Sequence, residues 1–327
     1  MIIVTFTLMP SASLARYIKA FIGLRVDRSK GTPAPHKAIL LLAVIESIEN
    51  GEITDSKVYI TPELVARFKG LWTQLVSDTG FVPSFQLPFF HLRSSSFWTL
   101  ILRPGCQLLL TSSLSIRSFT QLCETVAYAT LADDLFLLLT DAESRATLKQ
   151  VLLQAWFGSQ SVVSVKQPYL FEAVESQMLR ESSAEYIRHI DQSDEEEIFV
   201  RNGVFKKMVP KIYNSTCAIS GMRVIATGDV QMIDACHIVP FSESHDDTIG
   251  NGISLCPNLH RAFDRFLITI DSDMRLLISK RFVEADSAYS IMQYEGKKIL
   301  LPSEQRNHPA TTSLDWHRDR FIKVNNL

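Results

Sequence analysis

Residues 234–264 read DACHIVPFSESHDDTIGNGISLCPNLHRAFD, and this stretch decides how the C-terminal third of the chain folds. It begins inside an alternating segment, Val230–Val239, whose period of two predicts a β-strand. After a polar loop, ISLC at 253–256 predicts a second short strand. Pro257 then stands at a first helical position and predicts the helix PNLHRAFDRF. The predicted order is therefore strand, loop, strand and helix.

The polar side chains of this stretch suit the hydrolysis of a phosphodiester, and four of them stand out: Asp234, His237, Asn251 and His260. A base must take a proton from water, and neutral imidazole is well matched to that task near pH 7. A divalent cation must stabilise the charge on the phosphate and on the leaving 3′ oxygen. A helical His beside a strand Asp can hold one cation and leave positions open for phosphate and water. A loop Asn can pin the backbone or orient the base histidine.

The segments DACHIVP, DDTIGNG and LCPNLHRAFD follow one another at the spacing of one small motif. Over roughly 213–271 the chain resembles the HNH, or ββα-metal, nucleases. The resemblance implies His237 as the general base, Asn251 as the loop asparagine and His260 as a metal ligand. It also implies cleavage of DNA with a bound divalent metal ion, Mg²⁺, Mn²⁺ or a similar ion.

The second metal ligand is predicted from the strand. Many relatives have an acid directly before the base histidine, where this chain has Cys236. Asp234 lies two residues earlier and shares the strand face of Cys236. We therefore predict Asp234 as the second ligand, with Asp264 in reserve.

Many HNH domains also carry two CxxC pairs that bind a structural zinc. The corresponding places here read Cys217-Ala-Ile-Ser220 and Cys256-Pro-Asn-Leu259, so each pair lacks its second cysteine. We expect no structural zinc, and we interpret the two remaining cysteines as small buried hydrophobic residues.

The sequence of the N-terminal half predicts helices on both sides of an irregular segment. Helical spacing predicts a helix over 13–25, and the apolar run AILLLAVIESIENG predicts a second one that ends at Gly51. A strand is predicted around Val58–Ile60. Segment 80–110 is rich in aromatic residues and proline, which indicates loops and short strands. Residues 117–157 predict helix in two or three pieces.

Two segments of this half, TPAPHKAILLLAVIESIENG and LPFFHLRSSSFWTL, resemble the sulfur-binding domain of phosphorothioate-dependent type IV restriction endonucleases. The resemblance spans about 13–155, and those proteins also join this domain to a C-terminal HNH nuclease. A phosphorothioate replaces one non-bridging oxygen by sulfur, which is larger, more polarisable and poorly hydrated. A shallow apolar cup favours sulfur because oxygen would lose its water there without compensation.

This resemblance and this chemistry point to six residues. Those that could line the apolar cup are Leu87, Pro88 and the ring face of His91. Those that could hold the neighbouring phosphates, as cationic or hydrogen-bonding groups, are His36, Lys37 and Arg93. Relatives often have a tyrosine in place of the leucine.

Other interpretations stay open at this point. Leu87, Phe89 and Phe90 can be core residues instead of binding residues. The aromatic stretch 81–98 could hold a flipped base, which makes methylated DNA the main alternative target. A non-enzyme alternative is a DNA-binding regulator with a decayed nuclease fold, against which the intact nuclease set argues. An unspecific toxin nuclease would need no reading domain.

The amino-acid composition indicates how the chain is organised into domains. Hydrophobic residues make up 46% and charged residues 21% of the 327 residues, which indicates globular domains. We predict an α+β protein with a mainly helical DNA-reading domain with short strands at 1–157, an acidic linker at 158–200 and a ββα nuclease domain at 201–327. The net charge of -2 means that a DNA-binding surface needs local positive charge.

The remaining sequence features concern location and partners. Five cysteines without a CxxC motif indicate a reducing cytosol, so we expect a cytoplasmic protein. The N-terminus has no basic region and too short an apolar run for a signal peptide, and no stretch predicts a membrane span. The expected partner is double-stranded DNA, carrying phosphorothioate. Cutting both strands requires two sites, so a homodimer is expected.

Overall fold

The computed structural model describes a mixed structure of helices and short strands, which confirms the predicted α+β class. The described residues are 12–77, 80–108, 111, 115–158, 170–180, 185, 187, 191, 193–224, 232–281, 283–285 and 287–326. The chain divides into two compact units. The first comprises Met1–Phe171 with Asp194–Val200, and the second comprises Glu172–Ser193 with Arg201–Leu327.

The first unit is mainly helical and surrounds one buried helix. Its helices are α1 (Ala12–Ile22), α2 (His36–Glu49), α3 (Pro62–Leu75), α4 (Gln86–His91), α5 (Phe119–Thr125), α6 (Asp133–Thr140) and α7 (Ala142–Phe157). Helix α2 is buried on every face from Lys37 to Ile45, as expected of a helix that is apolar all round. Helices α3, α4, α6 and α7 pack around it. Gly51, with φ at +73°, follows its C-terminus, close to the predicted end.

A three-stranded antiparallel sheet completes the first unit. Its order is β1–β3–β2, with β1 (Lys57–Val58), β2 (Trp98–Leu102) and β3 (Val126–Leu131). The prediction of helix throughout 117–157 is wrong at β3, which is the central strand. Its sequence VAYATL contains β-branched and aromatic residues, which favour a strand that is paired on both sides.

Helix α4 corrects the prediction that 80–110 contains only loops and short strands. Pro88 lies in the first turn of this helix, where a backbone N–H has no intrahelical acceptor, so proline is tolerated there. Phe89 and Phe90 are fully buried, and the indole N–H of Trp98 donates to the carbonyl of Phe89. Tertiary burial of aromatic rings therefore stabilises a helix that local spacing does not indicate.

Two acids of the run DQSDEEE at 191–197, Asp194 and Glu196, pack on other residues of the first unit, whereas the sequence predicts a linker throughout 158–200. Asp194 forms an ion pair with Lys69. Glu196 is buried, and its carboxylate accepts a hydrogen bond from the backbone N–H of Phe85, directly before α4. Burial raises the pKa of Glu196. These acids therefore belong to the packing of the first unit, and the predicted domain limits stay a prediction.

The second unit contains the predicted strand–loop–strand–helix order. Helix α8 (Leu170–Arg180) precedes this order, and helix α9 (Glu195–Ile212) belongs to the unit from Arg201 onward. The later elements are β4 (Asp234–His237), α10 (Phe241–Ser244), β5 (Gly252–Leu255), α11 (Pro257–Asp264), β6 (Ile268–Ile270), β7 (Leu276–Ile278) and α12 (Thr311–Asn325). Strands β4 and β5 are antiparallel, and so are β6 and β7. Residues 230–231 of the predicted first strand lie outside the described residues. None of the described helices combines the length and apolar character of a bilayer span.

Candidate functional site

His237 ends β4 and forms a hydrogen bond with a buried acid. Its Nε2 lies 2.7 Å from Oδ1 of Asp247, whose side chain is fully buried, while the imidazole keeps 17% of its surface exposed. A carboxylate can only accept, so Nε2 carries the proton and Nδ1 has the free lone pair. The arrangement therefore fixes one tautomer of the histidine and presents Nδ1 as a proton acceptor.

The ring of His237 is also held by packing. Phe205 of α9 stacks on it, with the ring centroids 3.8 Å apart and the planes 4° from parallel. Gly252 lies opposite His237 in the β4–β5 register. A Cβ at Gly252 would come within 2.6 Å of Val209 and 3.1 Å of Phe205, so glycine lets α9 lie directly on the sheet. Helix α9 and the carboxylate together fix the orientation of the imidazole.

Asn251 is fully buried and closes the loop between β4 and β5. Its Oδ1 accepts from the N–H of Val239 at 2.8 Å, and its Nδ2 donates to the carbonyls of Val239 and Asp246 at 2.9 Å. Of the two roles considered for this asparagine, the geometry therefore favours pinning of the backbone. By holding the loop at Asp246, it also places the neighbouring Asp247 against His237.

A second group of polar side chains lies between β4 and α11. Nδ1 of His260 lies 3.1 Å from Asp234, and its Nε2 lies 3.4 Å from Asp264, one helical turn away. Among the described residues, Cys236, His260 and Asp264 form a group whose potential ligand atoms all lie within 4.8 Å of one another. Burial and the adjacent Asp264 raise the pKa of Cys236. The structure thus brings together both acids predicted for the metal, and the reserve acid Asp264 belongs to this compact group.

Cys217 and Cys256 are buried, their side chains interact directly, and Ser220 contacts both sulfur atoms. The backbone N–H of Ser220 donates to Cys217 Sγ at 3.4 Å, and Ser220 Oγ lies 3.9 Å from Cys256 Sγ. The positions of the missing cysteines are thus occupied by Ser220 and by the buried Leu259. This environment agrees with the interpretation of both cysteines as small buried residues, and the prediction about zinc stays a prediction.

The first unit contains a cavity of about 640 Å³. Its lining includes all six residues predicted to read DNA: His36, Lys37, Leu87, Pro88, His91 and Arg93. The N-terminal turn of α2 supplies two of them, α4 supplies three, and the following turn supplies the last. Arg25, Asp27 and Phe81 also line the cavity. Phe89 and Phe90 are fully buried core residues, as the alternative interpretation expects for them.

The charged side chains of this cavity are Arg25, Lys37 and Arg93, together with the carboxylate of Asp27. Burial, followed by the nearby Arg25, lowers the pKa of Lys37, whose Nζ donates to Ser94 at 3.2 Å. Arg93 lies over the ring of Phe90, with Cζ 4.0 Å from the centroid. A solvent-facing anion that enters here would meet guanidinium and ammonium groups within an apolar wall.

The two histidines of the cavity are held as neutral rings. Burial lowers the pKa of His36, and its Nε2 lies 2.9 Å from the carbonyl of Val82. Burial, with Lys37 and Arg93 adding to the effect, lowers the pKa of His91, whose Nε2 lies 2.9 Å from Ser115 Oγ. Both side chains therefore act as walls or hydrogen-bonding groups rather than as cations near pH 7.

Several residues of these sites were not predicted from sequence. Asp247 lies within the motif DDTIGNG, so its place in the loop was visible but its contact with His237 was not. Phe205 lies far outside the motif, and Arg25 lies in a loop without a recognisable pattern. Only the folded chain brings them to the sites.

Comparisons with known proteins give one family match and similarity to solved structures. Residues 217–271 match the family model described as HNH endonuclease. Comparison with curated proteins gives no match. Among solved structures, the modification-dependent TagI restriction endonuclease is similar at 21% identity with a TM-score of 0.26, over 36% of this chain and only 36% of that chain. The type IV phosphorothioation-dependent restriction endonuclease ScoMcrA is similar at 12% identity with a TM-score of 0.34, over 75% of this chain and 93% of that chain. The family match and the ββα geometry together identify an HNH endonuclease domain in this chain.

Proposed function

We propose that this protein is a modification-dependent restriction endonuclease, which binds phosphorothioated double-stranded DNA and hydrolyses phosphodiester bonds near the modification. The cavity of the first unit is the observation that carries the reading function. Six residues predicted from two distant segments of the sequence line the same cavity, next to further cationic groups. The HNH endonuclease domain carries the cleavage function.

The chemistry of the cavity suits a phosphorothioate. Leu87, Pro88 and the neutral ring of His91 offer an apolar surface, on which sulfur loses less hydration than oxygen does. Lys37 and Arg93 provide charge for the neighbouring phosphates. Recognition then combines a sequence-independent attraction to phosphate with a preference for the poorly hydrated sulfur atom.

In the proposed reaction, Nδ1 of His237 takes a proton from the attacking water. Asp247 stabilises the resulting imidazolium through Nε2–H, and Phe205 keeps the ring in place. Asn251 keeps the loop closed during the step. The water oxygen attacks phosphorus, and the bond to the leaving oxygen breaks.

A single divalent cation fits the group beside His260. His260 would hold it together with carboxylate oxygen from an acid beside it, Asp234 or Asp264, because carboxylate suits Mg²⁺ and Mn²⁺ and imidazole suits transition-metal ions. When bound, such a cation neutralises charge on the phosphate and on the leaving oxygen. The partly exposed carboxylates leave a route for phosphate to reach this group.

We also propose a homodimer, since a double-strand break requires two HNH centres. Five free cysteines, four of them outside any cation-binding group among the described residues, suit a reducing compartment. We therefore place the enzyme in the cytoplasm, where it would act against foreign modified DNA.

A second candidate target is methylated or otherwise base-modified DNA. The cavity volume lies within the range of small-molecule sites, so a flipped base could enter it, and Phe81 offers an aromatic surface for stacking. The two targets differ in the group that must be modified, the phosphate or the base.

The test uses the full chain, one of the cations Mg²⁺, Mn²⁺, Co²⁺ and Zn²⁺ at a time, and three matched duplexes at one fixed salt concentration, because phosphate contacts make affinity salt-dependent. One duplex carries a phosphorothioate, one is methylated and one is unmodified. We expect binding and cleavage of the sulfur duplex, with the preference lost in Pro88→Ala or His91→Ala. Preference for the methylated duplex would favour the second candidate. Binding of the sulfur duplex without cleavage under any of these four cations would indicate a DNA-binding protein instead of an enzyme.

A further inference from the structure

We infer that the cation of the HNH centre is held by Cys236, His260 and Asp264, and that this centre consequently prefers thiophilic divalent ions such as Zn²⁺ and Co²⁺ to Mg²⁺. Asp234, in this arrangement, orients His260 instead of binding the ion. The inference rests on the proposed function of this centre and specifies its ligands and its class of metal.

The distances among these side chains suit a compact tetrahedral site. Ligand atoms that lie about 2.0–2.3 Å from a zinc-like ion are separated from one another by about 3.3–3.8 Å. Asp264 Oδ2 lies 3.4 Å from His260 Nε2, and Asp264 Oδ1 lies 3.7 Å from Cys236 Sγ. The potential ligand atoms of all three residues lie within 4.8 Å of one another, so a small contraction on binding would close the site.

The backbone accounts for this convergence. Residues two apart on β4 share a face, which puts Cys236 beside Asp234, and residues four apart on α11 share a face, which puts Asp264 beside His260. The thiol of Cys236 is fully buried, and its acceptors are the carbonyl of His237 at 3.5 Å and Asp264 Oδ1 at 3.7 Å. A cation would replace the thiol proton, which leaves to solvent, and the sulfur would then be a direct ligand.

His260 can bind an ion through only one ring nitrogen while the other donates to an acceptor. Its Nε2 faces Asp264, and its Nδ1 faces Asp234 at 3.1 Å. With the ion on the Nε2 side, Asp234 accepts from Nδ1–H and fixes the tautomer, as carboxylates commonly do for metal-binding histidines. This assigns different roles to two acids that flank the same ring.

The donor set predicts the class of metal. Thiolate and imidazole suit Zn²⁺ and Co²⁺, whereas Mg²⁺ requires oxygen ligands in octahedral geometry. A site with one thiolate, one imidazole and one carboxylate therefore discriminates against Mg²⁺.

The decisive experiment is a titration of the metal-free full-length protein with Co²⁺, followed by absorption spectroscopy and equilibrium dialysis. A thiolate bound to cobalt gives a charge-transfer band in the near ultraviolet that oxygen and nitrogen ligands do not give. We expect this band in the wild type and in Cys256→Ser, a matched change at another buried thiol, and its loss in Cys236→Ser. Circular dichroism checks that each variant is folded.

The acids provide a second comparison within the same titration. Removing an outer-sphere partner weakens metal affinity by about 10–100-fold, and removing a direct ligand should weaken it at least as much. Asp264→Asn should therefore reduce both the affinity and the intensity of the spectrum, whereas Asp234→Asn should keep the thiolate band at saturating cobalt.

The outcomes separate this inference from the proposed function. Cobalt bound without the band, or a band that persists in Cys236→Ser, would overturn the thiolate assignment and leave the HNH centre standing. Wild-type protein that binds neither Co²⁺, Mn²⁺ nor Mg²⁺ and cleaves no duplex would overturn both.

Discussion

The two candidate sites are built in opposite ways. The HNH centre comes largely from one contiguous stretch, 234–264, in which short strands and a helix bring polar groups into direct contact. The cavity of the first unit comes from separate loops and helix ends, where cations are spaced around apolar walls. Polar groups in mutual contact, as in the HNH centre, suit proton transfer and metal binding. Charged groups spaced around an apolar wall, as in the cavity, suit the selection of a ligand. Substitutions in the first should therefore change rates, and substitutions in the second should change affinities.

The largest effect is expected from removal of the proposed base. His237→Ala should reduce the rate of DNA cleavage by about 10³-fold, within the usual range for general base catalysis, because no other group would accept the proton from water. The binding of the phosphorothioate duplex should stay unchanged. Single-turnover cleavage and duplex binding, measured on the same preparation, test this.

His308→Ala is the matched control for that variant, since His308 is a histidine of the same unit whose ring bonds to the carbonyl of Pro302. It should cleave at the wild-type rate. Cleavage by His237→Ala at a rate near the wild type would refute the assignment of the base.

The next effect is expected at Asp247, whose carboxylate accepts a hydrogen bond from the proposed base. In Asp247→Asn an amide N–H can face Nε2 of His237 and move the ring proton to Nδ1, which then cannot accept a proton from water. We expect kcat to fall by about 10²-fold with little change in KM. Steady-state kinetics on the phosphorothioate duplex measure this split.

Two variants make the interpretation of Asp247 specific. Asp247→Glu restores a carboxylate and should recover part of the activity, and Glu243→Gln, a change at an exposed acid of the same loop, should have no effect. An equal loss in Asp247→Glu and Asp247→Asn, with the fold intact, would mean that the carboxylate only fills space.

The contrast between the sites also explains what the sequence could predict. His237, Asn251 and His260 stand at spacings that a strand, a loop and a helix impose locally, so the sequence could predict the element on which each of them lies. The contacts of Asp247 depend on loop closure by Asn251, and Phe205 reaches the site only because Gly252 admits α9. Neither contact has a local signature. Cys236 was visible as a departure from the pattern, but its distance to Asp264 needed the folded structure.

The first unit shows the same limit at the level of secondary structure. Helix α2 follows from its apolar run and Gly51. Pro88 lies within α4, and β3 lies between segments that form helices, so the local sequence does not predict the secondary structure of either element. Burial of their side chains stabilises the helix and the strand instead. The six residues predicted to read DNA nevertheless line one cavity, and their role in binding stays a prediction.

A third effect concerns the support of the HNH centre. His317 of α12 is buried, stacks on Phe263 of α11 with centroids 3.6 Å apart, and lies 3.1 Å from the carbonyl of Phe263 and 2.9 Å from Thr269 Oγ1. Burial lowers the pKa of His317 from 6.5 to about 4. As the pH falls, His317 is protonated in the unfolded chain at a higher pH than in the folded chain. Its contribution to the free energy of unfolding is therefore complete above about pH 6.5 and is lost progressively toward pH 4.

From these values the loss attributable to His317 between pH 7 and pH 5 is about 2 kcal/mol. Urea unfolding at the two pH values should show a smaller difference in His317→Gln than in the wild type or in His308→Gln. An unchanged pH dependence in His317→Gln would show that the histidine is not held neutral by the fold.

The smallest effect, and the one that separates the two sites most sharply, is expected at Lys37. Its ammonium group lines the cavity of the first unit, so Lys37→Ala should weaken binding of modified and unmodified duplexes by a similar factor, about tenfold or less. The slope of log affinity against log salt should fall in magnitude by about 0.9, the value for one phosphate contact. Binding isotherms over a series of salt concentrations, with the exposed Lys19→Ala as control, measure both quantities. If Lys37→Ala instead removed the preference for sulfur and left the salt slope unchanged, Lys37 would contact the modification itself, and the cavity would read charge and sulfur through the same residue.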